Sequence, residues 1–162
     1  MRYDYFDTGH IGVLTLVADD QGLHHIDFES DRTPVRIQGD WQRDTTFFAA
    51  AKAQLKAYFQ GTLKRFDLPL APVGTPFQQA VWQTLLTIPY GALVSYRWVA
   101  ERIDNPKASR AVGGAAGKNP LPIVIPCHRV VGCNGALTGF GGGLAVKQRL
   151  IELETKGRYI SK

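Results

Sequence analysis

Residues 120–132 read PLPIVIPCHRVVG, which sets a thiol, an imidazole and a guanidinium in succession at Cys127, His128 and Arg129. A thiol attacks as its thiolate, and a nearby base or positive charge raises the thiolate fraction. Cys127 is therefore the candidate nucleophile, His128 the candidate base and Arg129 a source of positive potential. Adjacent side chains diverge on a strand and do not face each other on a helix, so His128 must work on Cys127 through a bridging water. Such a base needs an acidic group on its other ring nitrogen. The helical pattern over residues 144–156 offers Glu152 and Glu154, and spacing does not choose between them. Cys133 lies six positions from Cys127, with no Cys-x-x-Cys and no clustered histidines, so neither a disulfide framework nor a zinc site is expected and Cys133 is a bystander.

The elements that must position this chemistry can be read along the chain. Residues 11–18 and 23–28 alternate apolar and polar on either side of Asp-Asp-Gln-Gly, which predicts an antiparallel hairpin with His24 and His25 as ordinary strand positions. Residues 45–60 place Phe47, Ala51, Leu55, Tyr58 and Phe59 at helical spacing, with Asp44 as cap and Gly61 as terminator. The run LPLAPVGTP, residues 68–76, is too rich in proline and glycine to propagate regular structure, so it divides an N-terminal α/β domain, 1–73, from a C-terminal domain, 74–162. Thr75, Pro76 and Gln78 then form a capping box for a helix reaching about residue 87, with Phe77, Val81, Leu85 and Ile88 on its core side. Residues 95–117 read as two short helices, the first capped by Ser95 and the second by Asn105-Pro106, in a helix-turn-helix. Ile123-Val124-Ile125 predicts a buried strand or extended segment delivering Cys127.

Charge separates along the same line. Residues 1–73 carry 8 Lys/Arg against 10 Asp/Glu, net −2, and residues 74–162 carry 11 against 4, net +7, so the basic half suits a polyanion. The second helix of the corner, residues 107–117, has only Lys107 and Arg110 as large side chains. Reading bases in the major groove takes a row of long polar side chains, whereas a bare helix with one arginine suits the minor groove and phosphate contacts. Two glycines in mid-helix cost roughly 1 kcal/mol each, which demands a reason in packing or close approach.

The stretches NPKASRAVGGAAGKNPLPIVIPCHRVVG and GFGGGLAVKQRLIELE closely resemble the O6-alkylguanine-DNA alkyltransferases, or methylated-DNA–protein-cysteine methyltransferases, over about residues 74–154. The resemblance implies an α+β fold: a small N-terminal antiparallel sheet with a helix in a ribonuclease H-like layout, then a mainly helical, winged-helix-like domain carrying the helix-turn-helix. It implies single-turnover, irreversible transfer of an alkyl group from O6-alkylguanine, and from O4-alkylthymine, to Cys127 after minor-groove binding and nucleotide flipping. His128 becomes the water-linked base, Glu154 the carboxylate orienting it and Asn119 the brace of that network. Tyr96 rotates the target phosphate and protonates the departing base. Arg110 fills the gap left by the flipped nucleotide, with Ser95, Ala111 and Gly113 also against DNA. Val130, Phe140, Gly141 and Gly142 line the pocket, and the carbonyls of Cys127 and Val130 accept from the guanine amino group. Phe140 stands where many relatives carry tyrosine, and Gly141 where some carry serine. The run Gly141-Gly142-Gly143 is expected to leave an open loop that admits larger alkyl groups.

No cofactor and no metal are expected, the partner is double-stranded DNA bearing alkylated guanine, and the chain is expected to act as a monomer. Apolar runs fall far short of the roughly 20 residues of a spanning helix, and with no signal peptide a reduced, cytoplasmic setting is expected. Three rivals are weaker. A damage-sensing binder would lack the reactive cysteine, a cysteine hydrolase would turn over repeatedly, and a sequence-reading transcription factor would not carry so bare a second helix.

Overall fold

In the computed structural model, which describes residues 1–31 and 33–157, the chain is α+β. Strands β1 (Arg2–Asp7), β2 (Val13–Asp19) and β3 (Gly22–Phe28) form an antiparallel meander, and the two-residue β4 (Gln42–Arg43) pairs parallel to β1, giving the order β3-β2-β1-β4. The sheet is thus mixed rather than wholly antiparallel. The β2–β3 hairpin was legible; β1 was not, because its alternation is inverted. Its buried member is Asp4, held by Arg43 and Lys52, while Tyr5 is exposed.

Helix α1 (Ala49–Phe59) starts four residues later than its apolar spacing suggests. Asp44 accepts from the Phe47 amide at 3.0 Å in a turn ahead of the helix and does not cap it, so Phe48 enters the core and Phe47 stays exposed beneath the Arg2 guanidinium. At the other end Gly61 adopts φ +80° and closes the helix as expected.

Helix α2 (Pro76–Leu85) has the predicted capping box, with the Gln78 amide donating to Thr75 Oγ1 at 3.1 Å and the Thr75 amide to Gln78 Oε1 at 2.9 Å. Ser95 Oγ accepts from the Trp98 amide at 3.0 Å and caps α3 (Tyr96–Arg102). The turn to α4 (Ser109–Gly117) departs from expectation: α4 begins after Ala108 with no side-chain cap, and Asn105 serves through its backbone, which accepts from the Ala108 amide at 2.9 Å. Short strands β5 (Val94–Ser95) and β6 (Val130–Val131) pair in parallel, tying the start of α3 to the residues just after the thiol, and α5 (Leu144–Thr155) follows.

One apolar core runs through both halves: Leu14, Phe28, Leu55 and Tyr58 belong to it with Trp82, Leu85, Val112, Ile125 and Val130. Strand β3 is stitched to distant chain on its free edge. Leu23 donates to Pro69 O and Ala71 to Leu23 O, at 2.9 and 2.8 Å, and Ile26 donates to Pro120 O at 2.9 Å. No helix among the described residues is long and apolar enough to cross a membrane.

Candidate active site and nucleic-acid interface

The segment before the thiol is a tight buried turn, not the expected strand. Ile125 donates to Leu121 O and Cys127 to Ile125 O, each at 2.8 Å, and Pro126 at φ −82°, ψ 66° has inverse γ-turn geometry. Pro120, Pro122 and Pro126 remove the donors a ladder would need, which overrides the β-branched propensity of residues 123–125. Ile123 sits at φ +75°, a left-handed conformation that costs a β-branched residue on the order of 1–3 kcal/mol, and burial of its side chain helps to offset this. Asn119 locks the turn, its Nδ2 donating to Ile125 O at 2.7 Å and its Oδ1 accepting from the Leu121 amide at 2.9 Å, and its side chain also favours the Cys127 thiolate.

Cys127 opens a 3-10 turn (Cys127–Arg129) whose three side chains are all buried. His128 Nε2 lies 2.6 Å from Glu154 Oε2, so Glu154 and not Glu152 holds the imidazole; Glu152 accepts from Gln148 on the surface. Burial pushes the His128 pKa down, against the opposing pull of Glu154, which keeps the ring neutral and able to take a proton. Its Nδ1 is buried with no hydrogen-bond partner in the protein, the valence that a water link to sulfur requires. Glu154 receives four further donors: Tyr58 OH at 2.6 Å, Arg129 Nε at 2.8 Å, Arg129 NH2 at 3.0 Å and the Gly91 amide at 3.1 Å. Burial alone would raise its pKa; the hydrogen bonds and charges of His128 and Arg129 outweigh burial and hold it well below the carboxylate range.

Arg129 does not serve as the thiol's positive neighbour. Its guanidinium is committed to Glu154 and, through NH1 at 2.6 Å, to Ile88 O. The positive charge acting on Cys127 belongs to Lys147, fully buried on α5, whose Nζ donates to Val130 O at 2.7 Å and Thr138 O at 2.8 Å, while Asp31 acts in the opposite sense. Burial lowers the lysine pKa to about 8, with the Cys127 charge opposing. Burial likewise pushes the thiol up, countered by Asn119 and Lys147, so the resting sulfur is protonated. Lys147 was missed because an amphipathic helix rich in charge reads as a solvated face.

Cys127 lines a cavity of about 620 Å³ whose walls come from both halves: His25, Phe28 and Asp31 on one side, Asn119, Phe140, Gly141 and Gly142 on the other. His25 is thus more than an ordinary strand position. The glycine run serves close approach rather than an open loop. A Cβ on Gly142 would stand 2.5 Å from the Phe28 ring, and one on Gly141 3.1 Å from Asp31 Oδ1. Ser30 Oγ donates to Gly142 O, and the Phe140 and Phe28 rings pack with centroids 5.5 Å apart. Tyr96 OH accepts from Thr138 Oγ1 at 2.8 Å, and the Lys147 ammonium sits 5.9 Å from its ring centre. Of the two carbonyls expected to meet guanine, Val130 O accepts from Lys147 and Cys127 O from the Val130 amide, each keeping a second lone pair.

Helix α4 resolves its own composition. Val112, Ala115 and Ala116 are buried, with Trp82 Nε1 donating to Ala115 O at 2.9 Å. Gly113 lies under the Tyr96 ring, a Cβ there meeting it at 3.7 Å, so it sits inside the corner. A Cβ on Gly114 or Gly117 would meet nothing within 4 Å, and Ala111 and Arg110 are exposed. Arg110 makes no hydrogen bond or ion pair among the described residues. The outer face of α4 is thus exposed and carries few large side chains, and α3, which packs beside it, begins at the β5 strand that pairs with β6 just after the thiol.

The family model described as "6-O-methylguanine DNA methyltransferase, ribonuclease-like domain" matches residues 1–72, and that described as "6-O-methylguanine DNA methyltransferase, DNA binding domain" matches residues 76–156. The chain belongs to the 6-O-methylguanine DNA methyltransferase family. It is similar to a Methanosarcina acetivorans protein named methylated-DNA–protein-cysteine methyltransferase, 46% identical over 95% of this chain and 98% of the relative. A Haemophilus influenzae protein of the same name is 45% identical over 100% of this chain and 90% of its own. Among solved structures, Mycobacterium tuberculosis OGT in complex with DNA superposes with a TM-score of 0.89 at 44% identity, covering 97% of this chain and 94% of that one. Within this methyltransferase framework, sequence reasoning missed Tyr58, Gly91 and Lys147 around the imidazole and thiol, and His25, Phe28 and Asp31 in the cavity wall. Tyr58 gave no signal because its partner lies 96 residues away.

Proposed function

We propose that this chain repairs DNA by direct reversal, moving the alkyl group from O6 of a guanine onto Cys127, once per molecule. The observation that carries the reading is a buried thiol in a cavity beside a neutral, Glu154-held imidazole, at the foot of a bare, basic helix-turn-helix face. A base stacked in a duplex cannot reach such a thiol, so the nucleotide must be flipped, at a cost of a few kcal/mol. Arg110, exposed and unpaired among the described residues, fills the gap it leaves, with Ala111, Gly114 and Gly117 allowing the helix close to the minor groove. Ser95 and Gly113 act indirectly, by capping α3 and seating Tyr96.

In the transfer, the Cys127 proton passes through a water to His128 Nδ1 while Glu154 steadies Nε2. Sulfur attacks the alkyl carbon, an S–C bond forms, the C–O6 bond breaks, and Tyr96 protonates the departing guanine. Lys147 stabilises the thiolate as it develops, and Asn119 holds the turn. The product thioether has no labile acyl bond for water to cleave, which makes the transfer irreversible. The same geometry suits O4-alkylthymine. The reading further places a division of labour at residues 73/74, a monomer as the working unit and the reducing cytoplasm as its setting. Intact-mass spectrometry after mixing with excess duplex bearing one O6-methylguanine tests it. One methyl per chain is expected, none for Cys127→Ser, and Arg110→Ala slows transfer from duplex much more than from the free base. An unmodified Cys127, or turnover beyond one equivalent, overturns the reading.

A further inference from the structure

Glu154 is the point at which the N-terminal half enters the chemistry. Its Oε2 accepts both His128 Nε2 and Tyr58 OH, each at 2.6 Å, and Tyr58 comes from α1 on the far side of the chain's proline-rich crossover. The Tyr58 ring is fully buried and boxed by Phe66, Tyr90 and Phe59, with centroids at 5.5, 6.2 and 5.2 Å, so its hydroxyl has one fixed direction. Burial and the Glu154 charge together push its pKa well above the phenol range, so it stays a donor.

We propose that Tyr58 is a positioning residue for alkyl transfer, withdrawing charge from the same carboxylate oxygen that orients His128 and so setting how strongly that oxygen holds the imidazolium. This rests on the reading that His128 takes the Cys127 proton. The groups facing His128 and its carboxylate are Glu154 and Lys147 from α5, Arg129 beside it, Tyr58 from α1 and Tyr90 from the connection after α2. Of these, only Tyr58 and His128 donate side-chain hydrogen bonds solely to Oε2. Without the phenol, Oε2 is more negative and favours the imidazolium. The base then becomes neutral only at higher pH, and the acid limb of the transfer rate moves upward.

The test is the pH profile of single-turnover methyl transfer from duplex DNA for the unsubstituted chain, Tyr58→Phe and Phe48→Leu. The last trims a fully buried ring of the same half and removes no donor. Tyr58→Phe should be about 3-fold or more slower at pH 6 relative to its own plateau than the unsubstituted chain, while Phe48→Leu lowers thermal stability and leaves the limb in place. The Tyr58→Phe effect should vanish in a Glu154→Gln background. An unmoved limb in Tyr58→Phe, an equal movement in Phe48→Leu, or full persistence without Glu154 overturns the proposal. Failure of the unsubstituted chain to methylate Cys127 is a different result, which removes the functional reading itself.

Discussion

The C-terminal half carries every group assigned to bond making or proton transfer; the N-terminal half carries what those groups lean on. Cys127, His128, Glu154, Asn119 and Lys147 lie within 36 positions of one another, whereas Tyr58, Phe28 and Asp31 reach the same site across the whole fold. Reacting groups are restricted by chemistry to a few residue types and show themselves in sequence. Supporting groups are chosen by where the fold happens to bring them, and an aromatic in a core stripe looks the same with or without a distant carboxylate.

The largest effect should come from inside the C-terminal half. Lys147→Met removes the positive charge acting on Cys127 and strips the buried Val130 O and the part-buried Thr138 O of a donor. Transfer should fall at least about 10-fold, and urea unfolding should show a loss of about 2–4 kcal/mol. Retention of both would mean that the thiol's electrostatics come from elsewhere. Next is the contact between halves. Gly142→Ala puts a methyl 2.5 Å from the Phe28 ring, which forces the loop off β3 at a cost of about 1–3 kcal/mol. Methyl transfer should slow severalfold while the benzyl-to-methyl rate ratio rises. An unchanged ratio would show that β3 does not shape the pocket.

The smallest effect on repair lies deep in the N-terminal sheet. Burial works against ionisation of Asp4, but hydrogen bonds from Lys52, the Tyr5 amide and Arg43 outweigh it and hold its pKa at about 2. A depressed carboxylate stabilises the fold above its unfolded pKa, near 4, and that contribution is lost as pH falls toward 2. Asp4→Asn should therefore cost about 1–2 kcal/mol at pH 7, discounted for the exposure of Arg43, with the gap closing by pH 2 and transfer unchanged. A change in transfer would make the sheet part of the chemistry.

The parts of the fold that sequence announced were those with short-range causes: the Thr75–Gln78 box, the Ser95 cap, the hairpin and the Gly61 stop. Those it concealed were settled by long-range partners. The α1 start slipped because Asp44 was drawn into a preceding turn, β1 because its inward residue is an aspartate, and Ile123-Val124-Ile125 because three prolines and Asn119 outweigh β propensity. In the candidate site, Cys127 and His128 were proposed from type and adjacency, and the structure buries both in one turn. The choice of Glu154 over Glu152 came only from resemblance, and Arg129 was given a role that Lys147 occupies, since both are cations and only packing tells which one faces the sulfur.

The amide of Ile26, bonded to Pro120 O, has a use of its own. It belongs to the sheet but is closed off by the turn that carries the thiol, so its exchange with solvent deuterium tracks separation of that turn from the sheet. A single backbone position more than a hundred residues upstream of the reacting sulfur is in this way a clock for how often the pocket comes apart.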